Sequence, residues 1–330
     1  LKKVLIIIYL LLTASVYSQP QSSEISSMPG AFSRMGFGAR GMGMGNALSA
    51  VTEGNLVSYY NPALSVFQQD NSFQTSYSFL SLDRSLNFLN FTRRFDFYSS
   101  KDSSNEPRAT AGVSIGIINS GVSNIDGRDN NGNPTGSLST SENQFFVALA
   151  NKFSSKFALG IAFKVYYYKL YEQISATGVG LDIGALYSLN KHWNISFVIT
   201  DLNSQYKWDT SPVYDEQGTT STDKFPTLKK IGVSYTNNEY GIIASAELES
   251  SNGGTNILRS GIEYNIFKDL YLRGGIDQVN LSNYDFPSNP SLGFSYVQSF
   301  GNIKVGVDYA FVVEPYSPQD RQIVGLNINF

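Results

Sequence analysis

The chain has 330 residues, a net charge of −3, only 15% charged residues and no cysteine. The lack of excess positive charge removes the electrostatic basis for a nucleic-acid partner, and the lack of thiols removes disulfides, thiolate catalysis, Cys-based metal sites and a lipidated N-terminal Cys. With 21 Tyr, 22 Phe and 29 Gly, the composition suits pleated surfaces and tight corners better than long helices.

In chain order, the first expected feature is an export signal. Lys2-Lys3 gives a positive start, an apolar run extends from Val4 to Leu12, and Val16-Tyr17-Ser18 sets small residues at the two positions a signal peptidase reads. Residues 1–18 are expected to be removed, leaving Gln19 as the new N-terminus. The apolar run is shorter than the ~20 residues that cross a bilayer as a helix. Residues 19–31 are polar and serine-rich, the composition of a linker.

Residues 36–64 are the most unusual stretch. Gly36, Gly38, Gly41, Gly43 and Gly45 crowd its start, and Asn61-Pro62-Ala63 closes it. Gly36-Phe37-Gly38-Ala39-Arg40-Gly41 matches the G-x-G-x-x-G pattern, but a dinucleotide turn needs a strand before it, a helix after it and a βαβ unit around it. Here a linker precedes and period-two segments follow, so the nucleotide reading fails on context. Residues 46–53 suit a short helix or a strand.

From Asn71 onward, segment after segment alternates apolar with small or polar residues over about 9–13 residues, the length of a tilted membrane-crossing strand. About fourteen such segments are expected. They lie near 71–80, 85–98, 107–118, 143–153, 156–169, 176–189 and 192–201, then near 227–236, 239–249, 256–267, 269–279, 290–299, 301–313 and 320–330. The second is irregular at Phe88, Leu89 and Phe91. In the clearest, Phe157, Leu159, Ile161, Phe163, Val165 and Tyr167 share one face, and Ala158, Gly160, Ala162, Lys164 and Tyr166 share the other. A soluble sandwich buries its bulky face and exposes a charged one. A barrel in lipid turns the bulky face outward and keeps small and polar groups in its lumen. The expected fold class is therefore all-β: a transmembrane antiparallel β-barrel of about 14 strands over residues 71–330.

The connections and the charges agree with this reading. Short turns at Ser154-Ser155, Asn190-Lys191, Asn237-Asn238, Lys268-Asp269 and Gly301-Asn302 alternate with longer polar links, among them 120–142, 203–225 and 280–289. Outer-membrane barrels sort their connections in this way, short on the periplasmic side and longer outside. Lys164 and Asp182 fall on small-residue faces and come roughly opposite each other when paired about residues 172–175. The same construction pairs Glu247 with Arg259 and Glu263 with Arg273. All six charges are expected inside, because a Lys or Arg at the lipid midplane costs ~2–4 kcal/mol. They could line a conduction path or form a lumenal ion-pair ladder that fixes register.

Tyr166-Tyr167-Tyr168, Tyr171, Trp193, Tyr235, Tyr240, Tyr264 and Tyr309 gather toward segment ends, as an aromatic girdle at the headgroup layer requires. The last segment ends on Phe330, in phase with Val324, Leu326 and Ile328, and resembles the C-terminal signal that the outer-membrane assembly machinery recognises. Catalytic chemistry has little to stand on. His192 is the one histidine and sits at a short turn without a Ser or carboxylate cluster, and the Asp126, Asp129, Asn130 loop lacks EF-hand spacing and a closing Glu. No enzymatic activity, metal or cofactor is expected.

Gly38-Ala39-Arg40-Gly41-Met42-Gly43-Met44-Gly45-Asn46-Ala47, followed by Tyr60-Asn61-Pro62-Ala63, resembles the N-terminal signature of the PorV/PorQ proteins. These are outer-membrane barrels related in fold to the FadL long-chain fatty-acid transporters. The sequence departs from the signature at Tyr59-Tyr60, where a Trp often stands. The resemblance implies a hatch or plug over residues 32–70, carried by Gly38, Arg40, Gly41, Gly43, Gly45, Asn61 and Pro62. In it the glycines allow tight packing inside the wall and Asn61-Pro62 turns the chain into the first strand. Arg40 is expected to meet a lumenal carboxylate such as Glu247 or Glu263. The function implied is that of an accessory component of type IX secretion, with exported cargo and secretion components as partners. The alternative is FadL-like transport of hydrophobic small molecules, fatty acids or hydrocarbons. In both, outer-membrane lipid surrounds the wall.

Overall fold

The computed structural model describes residues 24–98 and 107–330. The expected export signal, residues 1–18, lies outside the described residues. The first seven strands are β1 (Ser72–Phe79), β2 (Arg84–Phe97), β3 (Ala109–Arg128), β4 (Pro134–Lys152), β5 (Phe157–Lys169), β6 (Ser175–Ser188) and β7 (Trp193–Leu202). Two short ones follow, β8 (Gln205–Asp209) and β9 (Thr220–Lys224). The remainder are β10 (Leu228–Asn237), β11 (Ile242–Ser251), β12 (Asn256–Phe267), β13 (Leu270–Asn280), β14 (Asn289–Phe300), β15 (Ile303–Val312) and β16 (Arg321–Asn329).

Each of these strands except β8 and β9 pairs antiparallel with the next in a ring. β1 also pairs with β16, β5 with β6, and β7 with β10, which closes a 14-stranded barrel. β8 and β9 form a hairpin that touches β6 at Thr177 opposite Lys207. Closure leaves the ring without edge strands, so every strand finds ladder partners on both sides.

Side-chain alternation decides which face is which. Along β5, Ala158, Gly160, Ala162, Lys164 and Tyr166 are buried while Leu159, Ile161, Phe163, Val165 and Tyr167 are exposed. Phe163 is 55% exposed and Lys164 only 5%. That inversion repeats around the barrel, for instance at Phe197, Ile262 and Leu292, and an apolar band of this extent requires hydrocarbon around it.

The two ends of the barrel differ. β1 begins and β16 finishes at one end, where the connections 153–156, 189–192, 238–241, 268–269 and 301–302 are short; we call it the turn end. At the opposite, loop end the structure corrects two expectations. Residues 120–142 are largely strand: β3 and β4 outrun their neighbours, whose pairing stops at Val122 and Ser141, and residues 123–140 project as a two-stranded ribbon. At ~3.3 Å per residue this ribbon rises about 20 Å above the adjoining strands. Residues 203–225 likewise contain β8 and β9. Both stretches carry β-favouring Thr and Val among their polar residues, with Ile in the first and Tyr and Trp in the second, and cross-strand pairing makes use of them.

Residues 24–71 run inside the ring. The Glu24 N–H donates to Gly253 O at the loop end, and Asp70 meets Lys304 at the turn end, so the segment passes through the whole bore. Its regular pieces are two 3-10 turns, Ile25–Ser27 and Ala31–Arg34, a six-residue helix, α1 (Gly38–Gly43), and a longer 3-10 helix from Pro62 to Phe67, called the 3-10 helix below. Residues 46–53, expected as helix or strand, are neither. Asn61 caps the 3-10 helix by accepting from Ala63 N, so Asn61-Pro62 starts a helix and β1 follows only at Ser72; this replaces the expected turn directly into the first strand.

Candidate functional site

The lumenal segment and the wall facing it make the candidate site. α1 packs on β13–β16 and β1, and the 3-10 helix packs on β2–β6. The two pieces are held by different chemistry.

Around α1 the contacts are charged. Arg40 forks onto Glu263 of β12, Nε to Oε2 and Nη2 to Oε1, both at 2.9 Å, and its Nη1 donates to Asn55 O at 3.1 Å. Glu263 stands opposite Arg273 in the β12–β13 register and also accepts from its Nε at 2.5 Å. Arg273 reaches on to Ser295 Oγ and lies 3.6 Å from Asp308. Arg40 therefore selects Glu263 and not Glu247. Glu247 faces Arg259 in register, at 3.3 Å, with Lys230 at 3.7 Å. Arg259 also holds Glu249 at 3.0 Å and Asp277 at 2.6 Å. Apart from the half-buried Asp308, these charged groups are buried, so each charge depends on its neighbours in place of water.

A third cluster lies across the lumen. Lys164 bridges Asp182 at 2.7 Å and Asp201 at 3.3 Å, and Tyr166 donates to Asp201. In register, Lys164 faces Gly180 and Asp182 faces Ala162, so this pair is diagonal by two residues and not directly opposed. Here the wall is irregular. The β6–β7 register slips between Leu181 opposite Leu202 and Ile183 opposite Ile199, and Asp201 adopts a left-handed φ of 59°. Asp182 Oδ1 accepts the Asp201 N–H at 2.9 Å, a side chain standing in where the ladder is interrupted.

The glycines divide by what surrounds them. A Cβ on Gly41 would lie 1.8 Å from the Tyr60 hydroxyl, and one on Gly45 would lie 2.6 Å from Ser260 O, with φ already at 58°. Gly38 has a left-handed φ of 69°. Gly43 has ordinary room, its nearest neighbours being 3.5 Å away. On the opposite wall, Gly160 and Gly184 receive Asn61-Pro62 so closely that a Cβ would approach within 2.4 Å of Pro62 C and 2.1 Å of Asn61 Oδ1.

Several residues with structural weight were not singled out in the sequence. Asn46 donates to Asp277 at 2.7 Å and accepts from the Tyr60 hydroxyl at 2.8 Å, which also receives the Phe37 N–H at 2.9 Å. Lys230, Glu249, Asp277 and Asp308 lie two or four residues along their strands from other inward positions, so the period-two rule reaches them. Asp201 carries no such signal, because the bulge displaces it. Tyr166, counted above with the girdle, is buried against Phe225, with ring centroids 4.5 Å apart; Trp193, Tyr240 and Tyr264 do face outward. Phe88, whose position broke the alternation, points inward and stacks on Phe37 at 4.8 Å. The His192 ring meets Thr236 O at 2.8 Å. Phe330 is half exposed and exchanges two backbone hydrogen bonds with Asn71, each 3.0 Å.

At the turn end, a cavity of about 490 Å³ lies beneath Arg40 and Glu263, bounded by Glu53, Phe67, Tyr271 and Asn329 among others. Two further cavities, of about 20 Å³ each, flank Tyr60. No protein-family model matches the sequence, and the search of curated proteins finds no match. Solved structures do match. The Pseudomonas putida toluene transporter TodX aligns with a TM-score of 0.57 at 14% identity, over 89% of this chain and 96% of its own. The Ralstonia pickettii toluene transporter TbuX gives 0.55 at 13% identity, over 89% and 98%. A Pseudomonas aeruginosa FadL homologue gives 0.53 at 12%, over 89% and 98%. The chain therefore has the fold of the FadL-like barrels.

Proposed function

We propose that the protein is an outer-membrane barrel that passes hydrophobic small molecules, with residues 32–70 as the hatch across its bore. The observation that carries the reading is a lumen occupied by the chain's own segment, within the fold shared with proteins described as toluene transporters. On one side that segment is fastened by Arg40 on Glu263 and Asn46 on Asp277, contacts that break and re-form without unfolding the wall. The turn end then faces the periplasm, residues 1–18 act as the export signal, and Phe330 serves as the assembly signal. The ladder is continuous at the β1–β16 closure and irregular at the β6–β7 bulge at Asp201 and at two register shifts between β12 and β13, so passage requires the segment or one of these places to move. The test is uptake of a toluene-sized hydrophobe by cells with a lipopolysaccharide outer membrane, with and without the protein. Uptake no faster with the protein removes the reading.

The type IX secretion role is the second reading, supported by the motif at residues 38–47 and by the projecting ribbon 123–140, a surface for partners outside the bore. Affinity capture through the ribbon should recover exported proteins or secretion components; recovery of assembly factors alone counts against it.

A further inference from the structure

The outer face of the wall is not uniform around the loop end. Directly paired residues of an antiparallel ladder point to the same face, and so do residues two apart along a strand. Val179 of β6 is 68% exposed and pairs with Val165 of β5, so this pair faces lipid. Two residues nearer the loop end, Thr177 pairs with Lys207 of β8, and two beyond that Ser175 pairs with Lys169 of β5. In the β8–β9 hairpin Gln205 pairs with Lys224, which puts Lys224 on the face of Lys207. Lys169, Lys207 and Lys224 therefore all point outward, and all three are exposed.

The ladder also gives their spacing. With strands ~4.8 Å apart and ~3.3 Å per residue, the Cα atoms of Lys169 and Lys207 are about 12 Å apart and those of Lys207 and Lys224 about 8 Å. Because the strands are tilted, a row of paired residues climbs toward the loop end from β5 onward. Phe157, at the turn end of β5, leads through Tyr187, Ile195 and Val233 to Ala246 in the middle of β11. From β5 to β9 each lysine lies lower along its strand than the one before, which offsets the climb and sets the three at one level.

Their charge is not neutralised by the protein. The lysines that form ion pairs, Lys164, Lys230 and Lys304, face the bore, and among the described residues Lys169, Lys207 and Lys224 form none. Lys229 of β10 adds a fourth outward lysine on this sector, whereas the outward rim positions Ser250, Asn256 and Gln322 on other strands are uncharged. Glu172 and Asp209 lie beyond the lysines, in the 170–174 connection and at the outer end of β8, and Asp209 accepts the Ser211 N–H at 3.0 Å. On the membrane side of the lysines stand exposed Val165, Tyr167 and Val179. A level row of free cations above an apolar surface matches a lipid whose head is anionic and whose chains lie below it.

We propose that this sector binds the phosphorylated head of lipopolysaccharide in the outer leaflet, with its phosphates on Lys169, Lys207 and Lys224 and its acyl chains against Val165, Tyr167 and Val179. The proposal rests on the loop end facing outward and is independent of what the bore passes.

The purified full chain in a neutral detergent is titrated with lipid A, with lipid A stripped of its phosphates and with phosphatidylglycerol, and bound lipid is counted by native mass spectrometry. A basic residue beside an anionic head strengthens binding by roughly fivefold, less when salt screens it, so lipid A should bind at least about tenfold more tightly than its dephosphorylated form. In Lys169→Gln/Lys207→Gln/Lys224→Gln that ratio should fall to about one. Arg93→Gln, which removes an outward cation near the turn end, should leave it unchanged. Should the triple variant fail to assemble, Lys207→Gln alone should lower the ratio by roughly two- to fivefold. A wild-type ratio near one, a ratio that survives these lysine substitutions, or an equal loss in Arg93→Gln overturns the proposal. Phosphatidylglycerol held as tightly as lipid A by the same lysines overturns the assignment to the outer leaflet. Uptake of a toluene-sized hydrophobe is a separate measurement, so each of these outcomes leaves the transport reading standing.

Discussion

The two halves of the lumenal segment share close backbone packing but differ in charge. On the β12–β16 side, the Met44-Gly45 backbone lies against Gly261 and Gly275, and ion pairs and amides are added: Arg40 of α1 to Glu263, and Asn46, just past α1, to Asp277. On the β3–β6 side, the 3-10 helix lies backbone against backbone, with Gly112, Gly160 and Gly184 making room for Ser65, Pro62 and Asn61. Close backbone packing has no alternative arrangement nearby and serves both sides, whereas a buried ion pair, which costs about 3–5 kcal/mol to break at one partner, is found on the α1 side alone. The 3-10 helix, held by packing, is the fixed side, and α1 carries a charged latch in addition.

The sharpest way to break this comparison is on the fixed side. Gly160→Leu would drive a side chain into the Pro62 backbone and should cost about 3–4 kcal/mol, read as a lowered urea midpoint or as loss of the heat-resistant folded band in electrophoresis. Gly45→Ala combines a left-handed φ with an overlap on Ser260 O, and we expect a loss of about 2–3 kcal/mol by the same measurement. Arg40→Ala should cost less, about 2 kcal/mol, since Glu263 keeps Arg273. It should also raise uptake of a hydrophobic probe. A variant as stable and as slow as wild type would mean that charge does not latch α1.

A smaller effect is expected from Glu53, beside Arg40. Burial lifts its carboxyl above the ordinary value, against the pull of Arg40. Its raised value in the folded state means that its contribution is full below the ordinary carboxylate range and is lost as pH rises through the raised value. Glu53→Gln, locked uncharged, should therefore stabilise the barrel at about pH 7 and make no difference at about pH 3 in parallel unfolding curves. Gly43→Ala should be nearly neutral, under about 0.5 kcal/mol, because its Cβ meets nothing closer than 3.5 Å. A large loss there would place more strain on α1 than its contacts do.

Period two made most of the wall legible. Each of the fourteen expected segments overlaps one barrel strand, because lipid on one side and a polar bore on the other impose the same alternation on every strand. Where a second constraint adds to the first, the reading misleads. Phe88 breaks the alternation because it serves the aromatic contact with Phe37, and Tyr166 keeps the alternation but departs from the girdle, because it meets Asp201 and Phe225 inside. Within the segment, the glycines and Arg40 stand out as residue types, but the carboxylates that give Arg40 and Asn46 their meaning are more than two hundred residues away in β12 and β13. The ribbon 123–140 was hidden because polar Ser/Thr strands and polar loops share a composition.

One consequence follows from the passage of residues 24–71 along the bore. The segment runs directly into β1, and β1 forms the closing seam with β16, so the strand that seals the wall is also the one that tethers what the wall encloses. Filling the bore and closing the seam are thereby coupled: contacts such as Arg40 on Glu263 join the tethered segment to strands on the far side of that seam.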